Sequence, residues 1–386
     1  MSSNLTTIRE ISWREIFPWL ILLRVFRLAI RPSVLLMALL PIILMPWGSW
    51  CATQLFDHPT HVEENAVEVR VTSLLELTRV APAVGRQHME SLFHQVTRPF
   101  HEVLRTHSLR ETAYWLFVGL WSILLWAIPA GAMSRIAVVR LGREERVGFI
   151  ESLGFSVRRI GAYVGAPLLP LVGFTLCALP VALLGLMMRA DWGVLIAGVL
   201  WVFVLVAGFA MTLMLLGLFF GWPLMWPTIS AEFNGDLFEA LQRSYDYTRE
   251  RPLHYLFYAF VATMLGALGW LVVNAVCIGV VDISSWAVTW GAGGVERMEE
   301  ISRESENTTV VIGMQCIHVL SGLVLQKIPT AYAASFFWCS ASAIYLLLRQ
   351  DVDQTEMDEV FLAEPEEEPP LPDLDASFTA APSSSA

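Results

Sequence analysis

The chain has 386 residues, of which 55% are hydrophobic and only 16% are charged. Soluble domains carry about 25% charged residues, because a surface in contact with water requires them. The mean hydropathy of +0.55 therefore excludes an ordinary soluble protein. The charges are bunched, and the apolar stretches between them reach the roughly 20 residues that cross a bilayer.

The formal net charge of −11 is unevenly distributed along the chain. Acidic residues are densest after Arg349, from Asp351 to Glu368, and the basic residues are almost all arginine, with Lys327 the only lysine. The sequence has no basic patch with interleaved aromatic residues, the pattern that is typical of nucleic-acid binding. We therefore expect the lipid bilayer and other proteins as partners, and no nucleic acid.

The first 32 residues contain a basic amphipathic segment. Arg24, Arg27 and Arg31 recur at helical spacing with apolar residues between them. Arginines on one side and apolar residues on the other are typical of a helix that lies in the membrane surface. We assign residues 1–32 as a cytoplasmic interfacial segment. No short apolar signal region follows it, so the first span is expected to stay uncleaved.

Apolar stretches predict about six membrane spans. They cover approximately residues 33–50, 113–133, 160–188, 192–220, 253–281 and 309–349. The third span contains Pro167, Pro170 and Pro180, which predict a kinked helix. The last stretch is too long for one level crossing and short for two crossings with a loop. We predict one long helix, kinked near Pro329; two crossings are the alternative and would place the C-terminus outside.

Residues 57–111 form the longest polar insertion. Apolar residues recur in it at helical spacing, and Pro82 and Pro99 separate the segments. This pattern predicts a small helical extracytoplasmic cap.

Arginine-rich connections set the orientation, because short loops rich in arginine stay in the cytoplasm. The N-terminal segment, the 135–159 loop and the 243–251 segment carry dense arginine and fall on one side of a six-span bundle. The predicted fold is all-α, a polytopic transmembrane helix bundle over 33–349 with both termini inside. Residues 350–386 are predicted to be an acidic, disordered cytoplasmic tail.

The two cytoplasmic connections between spans resemble each other. One reads GFIESLGFSVRR and the other DLFEALQRSYDYTRER. An acid in each (Glu151 and Glu239) is followed two positions later by a leucine (Leu153 and Leu241), and both segments end in arginines before a span. The match requires a gap of two residues. It predicts a parallel repeat of span, surface helix and span, which occurs in transporters and in other membrane proteins.

Polar residues within the predicted spans are the candidate functional residues, because polar groups are costly in hydrocarbon. They are Asn274, Gln315, His318 and Lys327. One interpretation makes them the lining of a transport pathway, and the other makes them interhelical hydrogen bonds. Gln315 and His318 lie one turn apart, and a third interpretation places them above the membrane in the outer part of the last helix.

The sequence indicates no catalytic residue, cofactor or metal site. The five cysteines lie in or beside apolar segments and lack metal-ligand spacing. Four of the eight histidines lie in the predicted cap: His88, His94, His101 and His107. Their spacing is more typical of a solvated helix face than of a metal site. The run DHPTHVEE from Asp57 to Glu64 has the polarity of an ordinary loop. No Walker A and no G-x-S-x-G sequence is present.

Four stretches carry a family resemblance: RVFRLAIRPSVLL, SRIAVVRLGREERVGFIESLGFSVRR, APLLPLVGF (166–174) and IYLLLRQDVDQTEMDEV (344–360). Together they resemble uncharacterised polytopic inner-membrane proteins of planctomycete-type bacteria. The resemblance covers most of the membrane core and implies a multi-pass protein of a bacterial cell inner membrane. It implies no activity and no site residue.

Three functional hypotheses follow from the sequence. The leading one is a non-catalytic scaffold or subunit of a membrane assembly, with protein partners at the acidic tail and oligomerisation left open. The second is a transporter or channel with a pathway between the repeat halves near Asn274. The third is a lipid-acting membrane enzyme that uses histidines of the cap.

Orientation is tested by cysteine labelling in a cysteine-free variant. Ser383→Cys in the tail should stay unlabelled by a membrane-impermeant maleimide in spheroplasts, whereas Ser91→Cys in the 57–111 insertion should be labelled. Labelling of Ser383→Cys from outside would refute the placement of both termini in the cytoplasm.

Overall fold

A computed structural model describes residues 17–56, 97–106, 108–298 and 308–361. Within these ranges the chain is helical, with short connections and no β-strand. Six helices are long and apolar enough to cross a membrane. The predicted all-α polytopic bundle of about six spans is therefore confirmed, and the protein is a multi-pass membrane protein.

The helices follow each other in the predicted order. A 3₁₀ turn at Pro18–Leu20 leads into α1 (Ile21–Ala29). The other helices are α2 (Pro32–Leu55), α3 (Leu109–Gly142), α4 (Phe149–Arg158), α5 (Ile160–Met187), α6 (Asp191–Ala231), α7 (Leu237–Glu250), α8 (Pro252–Gly291), α9 (Thr308–Gly322) and α10 (Ile328–Asp353). Residues 97–105 are also helical. The rest of the predicted cap, 57–96, lies outside the described residues.

Several helices are longer than the predicted spans they contain. α6 continues for eleven residues beyond position 220, the predicted end of its span, and α3 continues past position 133 to Gly142. Residues 134–139 and, apart from the half-buried Trp222, residues 221–231 are buried by other helices. Such tertiary packing stabilises a helix beyond its apolar stretch.

The last stretch is one helical path with a local irregularity. α9 and α10 are joined by a π-helical turn at Leu323–Lys327, and the whole path runs from Thr308 to Asp353. Pro329 lies two residues after this turn and cannot donate the backbone hydrogen bond that an α-helix requires there. π-Helical turns are rare and occur mostly as single turns inside α-helices, as here. The alternative of two crossings with a loop is not what the structure shows.

The packed core lies at the arginine-rich end of the bundle. The arginine-rich end is the inner end of the bundle, and the opposite end is the outer end. At the inner end, the side chains of α3, α6 and α10 are buried on almost all sides, including Met133, Leu224 and Phe336 at 0% exposure. In contrast, the outer half of α6 and all of α9 expose apolar side chains, as Val199 at 73% and Val319 at 66% show. Apolar side chains can face lipid without a protein partner. The larger core therefore lies at the arginine-rich end, and a smaller cluster joins α2 to α3 at the other end.

The short helices α1, α4 and α7 supply the cover for this core. The predicted amphipathic helix of the N-terminal segment is present as α1, and its apolar face, with Leu22 and Val25 at 0% exposure, packs against the bundle. α1 contacts α8 and α10. Its apolar face is therefore covered by protein to a greater extent than a purely interfacial helix would be.

α4 and α7 are similar in structure as well as in sequence. Both are short helices that end directly before a span, and each places its acid at the third helical position. Ser156 of α4 and Ser244 of α7, five residues after those acids, are both 0% exposed. Ser156 faces Gly131 of α3, and Ser244 faces Gly221 of α6. The two units therefore share their packing, which supports the predicted repeat of span, surface helix and span.

Gly217 provides a stability test of this packing. The ring of Tyr245 fills the space that a side chain at position 217 would need, and the Tyr245 hydroxyl donates to the Met214 carbonyl at 2.8 Å. Gly217→Ala should therefore displace the ring and destabilise the fold by about 1–3 kcal/mol. Gly208 of the same helix has no atom within 4 Å of an added Cβ, so Gly208→Ala is the matched control. Thermal unfolding in detergent measures both, and equal melting temperatures would contradict this packing.

Candidate docking platform at the arginine-rich end

A buried carboxylate joins three helices at this end. Glu232 directly follows α6, and its side chain is 10% exposed. Its Oε1 accepts a hydrogen bond from the Tyr345 hydroxyl of α10 at 2.6 Å and from Arg243 Nη1 of α7 at 3.3 Å. Arg349 Nε of α10 lies 3.0 Å from the same oxygen as an ion pair, although its N–H does not point at the oxygen. Two guanidinium groups and a phenol thus offset the cost of burying the charge.

Arg243 connects this carboxylate to the end of α10. Its Nη2 lies 3.0 Å from Glu239 on the preceding turn, and its Nη1 lies 3.1 Å from Asp353 Oδ2. The Tyr247 hydroxyl donates to the same Asp353 oxygen at 2.5 Å. Burial raises the pKa of Tyr247 above its ordinary value, so the phenol is protonated at neutral pH and remains a donor.

Two arginines cap the C-terminal end of α6. Arg159 donates to the carbonyls of Ile229 at 3.0 Å, Glu232 at 3.1 Å and Phe233 at 2.7 Å. Arg135 of α3 is 3% exposed and donates to the Ser230 carbonyl at 2.7 Å. The last carbonyls of a helix lack partners within the helix and carry partial negative charge, which cations stabilise.

The chain then returns across these helix ends as a strap, residues 354–361. α10 ends at Asp353, and the left-handed conformation of Gln354 (φ 55°) turns the chain back. The Phe361 amide donates to the Ala231 carbonyl at 3.0 Å. Arginines hold two carbonyls of the strap: Arg143 donates to Val360 at 3.2 Å and Arg349 donates to Glu359 at 2.9 Å. Val360 is 2% exposed, so the strap is part of the packed structure.

The strap ends in an aromatic contact above the capping arginines. The Phe361 ring packs edge-on against Phe233 at 4.9 Å between centroids. The guanidinium carbons of Arg135 and Arg159 each lie 5.9 Å from the centroid of the Phe361 ring, within the range of a cation–π contact. Part of the predicted tail, 350–361, is therefore fixed to the bundle, because its backbone carbonyls and its phenylalanine find partners. The prediction of disorder for 362–386 lies outside the described residues.

The side chains of this platform serve to hold helix ends together. The carboxylates of Glu232 and Asp353 are occupied by arginine and tyrosine partners. In the described residues, no group of three or more histidine, cysteine, aspartate or glutamate side chains could hold a metal ion. The arrangement fixes the helix ends and presents the root of the acidic tail at a defined position.

The structure does not bring the sequence-predicted polar residues together as one lining. Asn274 is buried in the core at 4% exposure. Gln315 and His318 lie on the exposed side of α9, and Lys327 is half-buried in the π-helical turn. α8, which carries Asn274, contacts that turn, so only Asn274 and Lys327 lie on directly packed elements. Of the cap histidines, His101 packs its ring against Phe219 at 6.4 Å, and the other three lie outside the described residues.

The residues of the platform were not singled out by sequence reasoning. Glu232 is one acid in an amphipathic stretch, and its partner Tyr345 is 113 residues away. The sequence contains only a weak indication of this contact. Glu232 directly follows an apolar helix, and Arg349 lies at the end of another apolar stretch. The dense arginine of the 135–159 loop predicts the cytoplasmic side, but it does not indicate that Arg135 and Arg159 cap α6.

Comparisons with known proteins give no further identification, since no protein-family model, curated protein or solved structure matches the chain. The class that fold and platform define is thus a multi-pass membrane protein built from helices.

Glu232→Gln tests the role of the buried carboxylate. The change leaves Arg349 and Arg243 without their shared anion, so we expect destabilisation of about 3–5 kcal/mol. The matched control is Glu144→Gln, which removes an exposed pair with Arg24 whose side chains are 42% and 57% exposed. The control should cost at most about 1 kcal/mol. Thermal unfolding in detergent compares the two variants, and an equal loss would contradict the structural role of Glu232.

Proposed function

We propose that this protein is a non-catalytic scaffold subunit of a membrane assembly in a bacterial inner membrane. The arginine-rich end is its fixed platform, and the acidic segment beyond Phe361 is the part that engages a cytoplasmic protein. The single observation that carries the proposal is the strap, whose backbone is bound by Arg143, Arg349 and the end of α6. The inner-membrane assignment rests on the family resemblance and on the arginine-rich connections.

The electrostatics of the platform support a structural role over a chemical one. A general acid, base or nucleophile requires a group that is free to exchange protons or to attack a substrate. Glu232 is neutralised by two arginines, and Asp353 is shared by Tyr247 and Arg243. Such a network fixes the relative positions of α6, α7 and α10, which is what a docking platform requires.

The tail is suited to a partner with a basic surface. Its segment after the strap contains Glu364, Glu366, Glu367 and Glu368. Charge complementarity of this kind increases association rate and selectivity. Because the strap fixes the root of this segment close to the membrane, a bound partner is held at the bilayer surface.

The transport hypothesis has less support. A pathway needs its polar residues on one continuous surface. Asn274 is inside the core, whereas Gln315 and His318 face away from it. The enzyme hypothesis depends on cap histidines that, with the exception of His101, lie outside the described residues.

Affinity purification from native membranes tests the scaffold proposal. Wild-type chain should retain a defined cytoplasmic protein at a fixed ratio, and changing Glu364, Glu366, Glu367 and Glu368 to glutamine should lower the retained amount at least tenfold. Glu144→Gln with Glu145→Gln, two exposed acids of the platform side, is the control and should retain the partner.

Two results would contradict the proposal. One is a partner that binds the glutamine variant as well as wild type. The other is solute flux through vesicles reconstituted with the purified chain that stops in Asn274→Ala, which would establish the transport hypothesis instead.

A further inference from the structure

Two polar stripes lie on exposed sides of the outer half of the bundle. On α8, one exposed stripe contains Asp282 and Ser285, with Gly279 one turn before them. On α9, the stripe contains Gln315, His318 and Gly322, and Gln326 continues it in the π-helical turn. Their neighbours are large exposed apolar residues, such as Ile283 at 68% and Val319 at 66% exposure. Polar groups in such surroundings normally face another helix.

Two ionisable side chains of these stripes, Asp282 and His318, have no partner in the part of the chain that the structure describes. Across the described ranges, Asp282 and His318 take part in no hydrogen bond or ion pair. Asp282 is also the only carboxylate of α8. A carboxylate on one stripe and an imidazole on the other are complementary, since a histidine ring donates a hydrogen bond to a carboxylate.

The two stripes lie at matching depths. α8 and α10 run antiparallel, and two contacts set their register: Gly269 lies against the Tyr332 hydroxyl, and Arg251 Nε lies 3.3 Å from Asp351. Asp282 lies thirteen residues outward from Gly269, and Val319 lies thirteen residues outward from Tyr332, so at about 1.5 Å per residue Asp282 comes level with Val319, the neighbour of His318. Asp282 and His318 therefore have nearly the same depth.

Two glycines match in the same way. Gly279 of α8 and Gly322 of α9 each lie ten residues outward from the Gly269–Tyr332 contact. A Cβ added at either glycine would meet no atom within 4 Å. Nothing inside the chain requires small residues at these two positions, whereas two helices that approach closely do require them.

We propose that two copies of this chain associate through these stripes, with α8 of one copy packed antiparallel against α9 of the other. A two-fold axis along the membrane normal preserves depth, so groups at equal depth in one chain meet across the interface. Asp282 of each copy then meets His318 of the other, and Gly279 meets Gly322. This interface is on the outer half and is independent of the platform and its proposed partner.

Disulfide trapping tests the dimer without altering Asp282 or His318. The five native cysteines are replaced, and Ser285→Cys and Gln315→Cys are placed in separate, differently tagged full-length chains that are co-expressed. Oxidation of the membranes should give a reducible species that carries both tags. Val199→Cys on α6, an equally exposed position on another helix, should give no such species with either chain.

Two further variants decide the geometry. Gly279→Leu should reduce the trapped dimer at least tenfold, while Gly198→Leu, where an added Cβ also meets no atom within 4 Å, should leave it unchanged. Both should elute as folded protein from a size-exclusion column, because a Cβ added at either position meets no atom of its own chain within 4 Å. The proposal is overturned if no species carries both tags, if the cysteines react only when placed in one chain, or if Gly279→Leu leaves trapping intact.

Discussion

The carboxylate of Glu232 is the constraint on which the rest of the inner end depends. An anion buried at the end of an apolar helix must find cations, and here they come from α7 and α10. Satisfying that single charge fixes the end of α6 against two helices distant in sequence. Arg349 then also reaches the strap, so the position of the strap depends on the same charge.

The two halves of the molecule differ in how their side chains are packed. At the inner end, α1, α4 and α7 cover the helix ends, arginines satisfy carbonyls, and side chains pack as in a soluble core. In the outer half, the helices expose apolar surface, which lipid accepts without stabilising one arrangement over another. In the outer half, a small apolar cluster joins α2 to α3, and Asp282, His318, Gly279 and Gly322 are the residues that would give α8 and α9 specific contacts.

The sequence predicts the spans well because hydrocarbon requires long apolar helices, and all six predicted stretches coincide with helices. Amphipathic spacing likewise locates α1, α4 and α7, and Pro329 locates the irregularity in the last helix. Helix ends are predicted less well. The extension of α6 to Ala231 depends on burial by other helices, which hydropathy along one segment does not contain.

The platform could not be predicted for a related reason. Glu232 meets Tyr345 and Arg349 only after three helices have packed, and a single acid among many carries no spacing signal. The strap is acidic in composition, which suggests disorder, but its attachment uses backbone carbonyls and amides that composition does not reveal. The arginines that we used to assign orientation also cap α6 and hold the strap. Positive charge at this end thus has a structural use in addition to setting topology.

The strap is a fixed part of the protein, and amide hydrogen exchange on the full-length chain in lipid nanodiscs measures this directly. The Phe361 amide, bonded to the Ala231 carbonyl, should exchange at least a hundredfold more slowly than an unstructured amide. Exchange at the unstructured rate throughout residues 355–361 would show that the tail is free from the end of α10 and would contradict the docking platform.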